Sequence, residues 1–172
     1  MTIDDNYARP DMLVTTDWVA QHSRELNLRI IDMRQHEEYV QAHIPSAVHP
    51  GPGDRSHFLK DSLNPVHVIP PESFQELMSG FGVDDGTTVV AYDGDGGHTA
   101  ARLWWVMDYY GNARCKILNG GWNKWTAENR EVTVSVPTFT RASYTANRED
   151  GMCRLENMLS HVGDERVMLI DV

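Results

Sequence analysis

Short apolar runs alternate with amphipathic stretches along this chain. Arg29-Ile30-Ile31-Asp32-Met33 is a brief apolar run of the buried-strand type, and Thr87-Thr88-Val89-Val90-Ala91-Tyr92 is the stronger strand signal. Leu13-Val14 and Cys115-Lys116-Ile117-Leu118 predict two further short strands. Thr15 or Thr16 is placed to cap a short helix around Trp18-Val19. Behind Pro71, residues Phe74, Leu77, Met78 and Phe81 share one helical face, and Gly80 and Gly82 stop that helix. Ala100, Leu103, Trp104, Met107 and Tyr110 mark a second amphipathic helix ended by Gly111, and Gly120-Gly121 opens a third bearing Trp122 and Trp125. Glu37-Glu38-Tyr39 reads as an acidic turn, and His43-Ile44-Pro45-Ser46-Ala47 leads into a loop over 49–70 that is long enough to be functional. Strands alternating with helices indicate an α/β domain with a mainly parallel sheet. Four of the five tryptophans fall between 104 and 125 and read as helix-packing residues of its core.

Residues 1–11 are polar and read as a lead-in arm, so the domain is expected over 12–140. A second unit is expected to open near Arg141. There Ser143-Tyr144-Thr145-Ala146 reads as a strand, and Leu155, Met158, Leu159 and Val162 lie on one helical face. The apolar run Val167-Met168-Leu169-Ile170 then leads into Asp171-Val172, and Ile170-Asp171-Val172 repeats Ile31-Asp32-Met33. The order suggests a duplicated domain, with 141–172 as the opening segment of a truncated second copy.

Composition narrows the class. The 172 residues fit one domain with something left over, and 41% hydrophobic against 23% charged residues exclude wholesale disorder. With 15 basic and 25 acidic side chains the net charge is −10, which opposes binding to nucleic-acid phosphates, and no basic patch offsets it. No apolar run approaches the ~20 residues of a membrane span. Met1-Thr2-Ile3-Asp4-Asp5 lacks the features of a signal peptide. Cys115 and Cys153 are too few for a disulfide scaffold or a cysteine zinc site. A cytoplasmic protein with no nucleic-acid or membrane partner is the expectation.

The loop after the strongest strand, Asp93-Gly94-Asp95-Gly96-Gly97-His98, is the first place for chemistry, because parallel sheets bind ligands beyond the carboxyl ends of their strands. Gly94-x-Gly96 begins a dinucleotide fingerprint, but Thr99 stands at its third glycine. No Gly-Lys-Ser/Thr forms a P-loop, and His98 and Trp104 break a calcium-loop pattern. A nucleophile loop carries Ser, Cys or Thr at its head; here that position holds Asp93, which reads as a vacated site. The eight histidines show no metal-ligand spacing. His43 is expected to bond backbone in a turn, and His67, in the long loop, is a candidate to face a cleft. Cys115 reads as a small buried hydrophobe.

Three stretches together resemble the rhodanese-like sulfurtransferases. Ile31-Asp32-Met33-Arg34 with Glu37-Glu38-Tyr39 and Ala42-His43-Ile44-Pro45-Ser46-Ala47 is similar to the first family signature, and Leu118-Asn119-Gly120-Gly121-Trp122-Asn123-Lys124-Trp125 to the second. Between them, Val90 to Gly97 and then Ala100 to Trp105 resemble the non-catalytic N-terminal domain of tandem members. The resemblance implies a mainly parallel central sheet with helices on both faces. It also implies a thiosulfate sulfurtransferase of two domains, using no cofactor and no metal, whose catalytic cysteine lies in the second. That cysteine takes sulfur from thiosulfate, or from a mercaptopyruvate-type donor, as a persulfide and delivers it to cyanide or another thiophilic acceptor. Asp93 stands at the family's cysteine position in the first domain, so this chain alone is expected to be inactive and to need the rest of domain 2, on the same or a separate chain. His67 falls where mercaptopyruvate enzymes often carry a cleft histidine. A different class of reading is a catalytically inactive rhodanese module with a binding or regulatory role. Related phosphatases use a Cys-x5-Arg loop, whose two positions hold Asp93 and Thr99 here.

Overall fold

Five parallel strands, Leu13–Val14 (β1), Leu28–Asp32 (β2), Ala47–Val48 (β3), Thr88–Tyr92 (β4) and Cys115–Leu118 (β5), pair in the order β1-β5-β4-β2-β3. The computed structural model describes residues 7–53, 59–63, 67–147, 153 and 155–170. β4 is central, in register with β2 from Leu28↔Thr88 to Asp32↔Tyr92 and with β5 from Val89↔Cys115 to Ala91↔Ile117. Helices Thr16–His22 (α1), His36–Gln41 (α2) and Gly121–Ala127 (α5) cover one face, and Pro71–Gly80 (α3) and His98–Tyr109 (α4) cover the other.

The two faces explain why the strands read as continuous apolar runs. Ile31, Val89 and Ala91 point toward Phe74 and Met78 of α3 and Leu103 and Met107 of α4. Ile30, Val90 and Tyr92 point the other way, toward Val19, Tyr39 and Trp125. A strand buried on both sides has no solvent face on which to place polar residues.

Local signals set most boundaries. The Thr15 hydroxyl accepts the Trp18 N–H at 3.1 Å and caps α1. Pro71 begins α3, and the chain leaves that helix through Phe81 and a left-handed Gly82.

The structure departs from the sequence pattern in three places, at 36–41, 47–48 and 143–146. Residues 36–41 form a helix where an acidic turn is expected: the Glu38 carboxylate accepts the Gln35 N–H at 3.0 Å, closing a capping box, and Tyr39 is buried beneath it. Ala47–Val48, expected only as the lead-in to the loop over 49–70, pairs with β2 as the edge strand. Ser143–Ala146 is not a strand. Its amides bond side chains instead, Tyr144 N–H to Ser79 Oγ at 3.1 Å and Ala146 N–H to Gln75 Oε1 at 2.9 Å, while Tyr144 sinks into the core against Phe74. Val167–Ile170 lies outside every strand among the described residues and is exposed, Met168 to 83%.

Residues 139–147, which straddle the expected boundary at 140/141, pack onto the first unit. Phe139 lies under Arg29, Ala142 N–H donates to Ser79 O, and Asn147 N–H donates to Tyr110 O. Beyond them Leu155–His161 (α6) exposes Leu155, Met158 and Leu159, and Val162 just after it is exposed as well. The second member of the suspected repeat, at 171–172, lies outside the described residues. Among the described residues no helix is long and apolar enough to cross a membrane.

Candidate functional site

β4 ends at Tyr92, and the next residue begins the glycine-rich loop at the carboxyl edge of the sheet. Positive φ at Gly96 (85°) and Gly97 (95°) turns the loop back on itself, so that its amides point inward as α4 begins. Asp93 is 2% exposed and its carboxylate lies in the middle of those amides. Oδ1 accepts N–H from Gly97 at 2.8 Å and Asp95 at 3.2 Å; Oδ2 accepts N–H from Thr99 at 2.9 Å and Ala100 at 3.0 Å. The Thr99 hydroxyl stands 3.1 Å from Oδ2 and 3.1 Å from the Met33 carbonyl oxygen. Burial pushes the Asp93 carboxyl up, but the amides of Ala100, Gly97 and Asp95 and the Thr99 hydroxyl outweigh it and hold it below the usual aspartate range.

The remaining signature segments close around this loop. Gly121 packs against the Asp93 backbone, Trp122 N–H donates to Asp93 O at 2.8 Å, and Asn123 Nδ2 donates to Gly94 O at 2.9 Å. Met33 N–H donates to Tyr92 O at 2.8 Å. Arg34 then folds back on Asp32: Nη2 reaches Oδ2 at 2.6 Å and Nε reaches Oδ1 at 3.0 Å, with the pair only 3% and 0% exposed. The guanidinium also donates to Ala42 O and stacks 3.7 Å from the Trp122 ring centroid. Tyr92 contributes its hydroxyl to Asp32.

Of the residues singled out in the sequence, Asp93, Gly94, Asp95, Gly96, Gly97 and His98 form this one loop and its helix start, with the Asp95 and His98 side chains exposed. His67 is exposed in the 59–70 loop, where its carbonyl accepts the Asp61 N–H, and no hydrogen bond among the described residues ties it to the loop at 93–98. The ring nitrogens of His43 meet the carbonyls of Tyr39 and Ser135, at 2.8 and 3.1 Å. Cys115 is buried at 2% exposure, and the apolar surroundings push its thiol up. Among the described residues no three His, Cys, Asp or Glu side chains gather to hold a metal ion.

Arg34, Thr99, Trp122 and Asn123 complete the site, and sequence reasoning did not assign them to it. Their signal was present in the quoted motifs, since Arg34 ends the first, Trp122-Asn123 sits in the second, and Thr99 stands where two tested motifs fail. Chemically the arrangement holds an anion. Both Asp93 oxygens are engaged by donors, so the group is a poor base and a poor nucleophile, and the loop head supplies no thiol.

Comparison with known proteins fits this geometry. The chain is 31% identical over 161 residues to the sulfur carrier protein TtuD of Thermus thermophilus, covering 91% of this chain and 54% of that protein. It is 30% identical over 143 residues to a thiosulfate sulfurtransferase of Corynebacterium glutamicum, covering 81% and 46%. The chain thus spans about half the length of the curated relatives it matches. Among solved structures, the 3-mercaptopyruvate sulfurtransferase SseA of Escherichia coli shares the fold with a TM-score of 0.78 at 24% identity, over 89% of this chain and 62% of that one. A model of the rhodanese-like domain matches residues 15–128, the stretch that builds β2 to β5, the loop and the Gly121–Trp122 clasp, and the chain belongs to that family.

Proposed function

We propose that this chain is the first, non-catalytic rhodanese-like unit of a two-domain thiosulfate sulfurtransferase, with its catalytic cysteine on a second such domain. Asp93 carries this reading: the family loop is fully built, and its head is a buried carboxylate bound by its own amides. Relatives roughly twice the length of this chain have room for a second unit, and α6 with its exposed apolar face suits the opening of one. The boundary then falls beyond Asn147, whose N–H donates to Tyr110 O of the first unit.

The reaction needs a thiolate at a loop head. The thiolate attacks the outer sulfur of thiosulfate, the S–S bond breaks, sulfite leaves with the electron pair, and a persulfide remains. Cyanide, or another thiophilic acceptor, then takes that outer sulfur and the thiolate is restored. A carboxylate cannot replace it in either step. A mercaptopyruvate-type donor would enter the same way and leave as pyruvate after protonation. The cytoplasm, where thiols stay reduced, is the compartment we assign, in keeping with two cysteines and no disulfide.

The test is thiocyanate formation from thiosulfate and cyanide. The 172-residue chain should not exceed the enzyme-free blank. A chain continued through a second rhodanese-like domain with a cysteine at its loop head should turn over, and lose turnover when that cysteine becomes serine. Turnover by the present chain that survives Cys115→Ser and Cys153→Ser together would overturn the proposal. The full engagement of Asp93 also favours the other reading, an inactive binding or regulatory module, and a second domain without a loop-head cysteine would select it.

A further inference from the structure

We infer that His43 is a proton-dependent latch on the segment that follows α5: as an imidazolium it ties the carbonyls of Tyr39 and Ser135 together, and as the neutral ring it lets one of them go. This holds wherever sulfur transfer occurs, because it rests on the surroundings of His43 alone.

Hydrogen-bond stoichiometry leads to it. His43 is fully buried, with Nδ1 2.8 Å from Tyr39 O and Nε2 3.1 Å from Ser135 O. A carbonyl oxygen only accepts, and a neutral imidazole carries one N–H, so only the doubly protonated ring satisfies both contacts. In either neutral tautomer a ring lone pair faces a carbonyl oxygen inside the protein, and that carbonyl loses its donor. Tyr39 O lies in the last turn of α2, where carbonyls lack partners within the helix, and the Tyr39 ring stacks on the imidazole with centroids 3.9 Å apart. His43 and Thr133 also exchange two backbone hydrogen bonds of 2.9 Å, so a change at Ser135 O is felt at that pair.

The charged and titratable groups around His43 leave few rivals for such a step. Asp32, at the end of β2, is committed to Arg34 and Tyr92, and the Arg34 guanidinium donates to Ala42 O. Burial pushes the hydroxyls of Tyr39 and Tyr92 up, away from neutrality. Residues 132–140 carry no ionisable side chain; just before them, Arg130 pairs with Asp17 and Glu128, and Glu131 with Arg24. His36 and His49 line the groove beside Val136 and Phe139, but their ring nitrogens meet each other, Arg34 O and the Gly51 N–H, and burial pushes His49 down. The latched form holds the extra proton, so the contact is present at low pH and is lost as pH rises through the imidazole range.

The experiment follows the nitrogen-15-labelled 172-residue chain by NMR from about pH 6 to about pH 9. Both ring nitrogens of His43 should carry protons at the acidic end, and one proton should leave as pH rises. The backbone signals of Thr133 and Ser135 should move in the same step. Amide protection at Thr133, normalised to intrinsic exchange, should fall about tenfold relative to Tyr144, whose N–H is held by Ser79. His36→Gln and His49→Gln should keep this step, and His43→Gln, whose amide does not titrate, should abolish it. One ring proton on His43 throughout, or two throughout, overturns the inference. So does a step at Thr133 that persists in His43→Gln or vanishes in His36→Gln or His49→Gln. Should His43→Gln not fold, the parent titration decides: ring and segment changing at one pH support the latch, and separate steps overturn it.

Discussion

Gly121 touches the loop more closely than any side chain allows. A Cβ there would stand 2.4 Å from the Asp93 carbonyl oxygen, and φ is +53°. Gly96 offers the contrast: φ is +85°, yet nothing lies within 4 Å of an added Cβ. Gly96→Ala should therefore cost only the left-handed backbone term, about 1–2 kcal/mol. Gly121→Ala should exceed it by roughly 1–3 kcal/mol for the crowding, as read from urea denaturation of both variants. Equal losses would mean that the loop yields freely and that Gly121 does not hold it. The Asp32–Arg34 pair makes a second residue-level case. Arg34→Ala strands a buried carboxylate and should cost about 3–5 kcal/mol, and Arg34→Lys should recover little, since an ammonium cannot span both carboxylate oxygens and still stack on Trp122. The sequence pattern contained Arg34 and Trp122 only as letters of two distant motifs; their stacking is a tertiary fact that no local spacing encodes.

Elements with strong local signals were legible: β4 from its β-branched run, α3 from Pro71 and its apolar face, α4 from the residues beyond the glycine loop. Those that depend on partners were not. α2 has few apolar positions, and the capping box with the burial of Tyr39 against Ala47 and His43 makes it helical. Ser143–Ala146 carries strand-forming residues, but Ser79 and Gln75 take its amides before any strand can. β5 provides the prediction at this scale. Its first residue, Cys115, is buried while Cys153 is exposed, so a disulfide reagent should label one thiol per native chain quickly and the second only after denaturant is added. Rapid labelling of Cys115 in the native chain would show that β5 opens locally without global unfolding.

For the whole molecule, the parallel sheet and the loop's position followed from the alternating pattern and the family resemblance, whereas the strand order is seen only in the fold. The state of the loop did not, because only the folded backbone shows four amides aimed at one carboxylate. The fold also sets an uneven distribution of stability. Residues through Asn147 share two cores, whereas α6 and 163–170 leave a row of apolar side chains in water. Limited proteolysis of the 172-residue chain should therefore cut first on the C-terminal side of Asn147 and leave the preceding unit resistant. If 155–170 resists as long as 12–147, that segment folds without a partner.

The run from Thr133 to Asn147 has a mechanical consequence. It begins on His43 beside the edge strand β3, crosses Arg29 and Ser79, and finishes on Tyr110 at the end of α4. Its contacts follow one another along the chain: Asn147 with Tyr110, Ala146 with Gln75, Thr145 with Asp85, Tyr144 and Ala142 with Ser79, Arg141 with Glu76, and Thr133 with His43 through two backbone hydrogen bonds. Tension on the chain beyond Asn147 meets them one at a time and peels them, whereas the β2–β4 ladder carries load across five residue pairs at once. Anything tethered beyond Asn147 can thus pull this strap loose with its sheet still intact, and the strap serves as a fuse between the two.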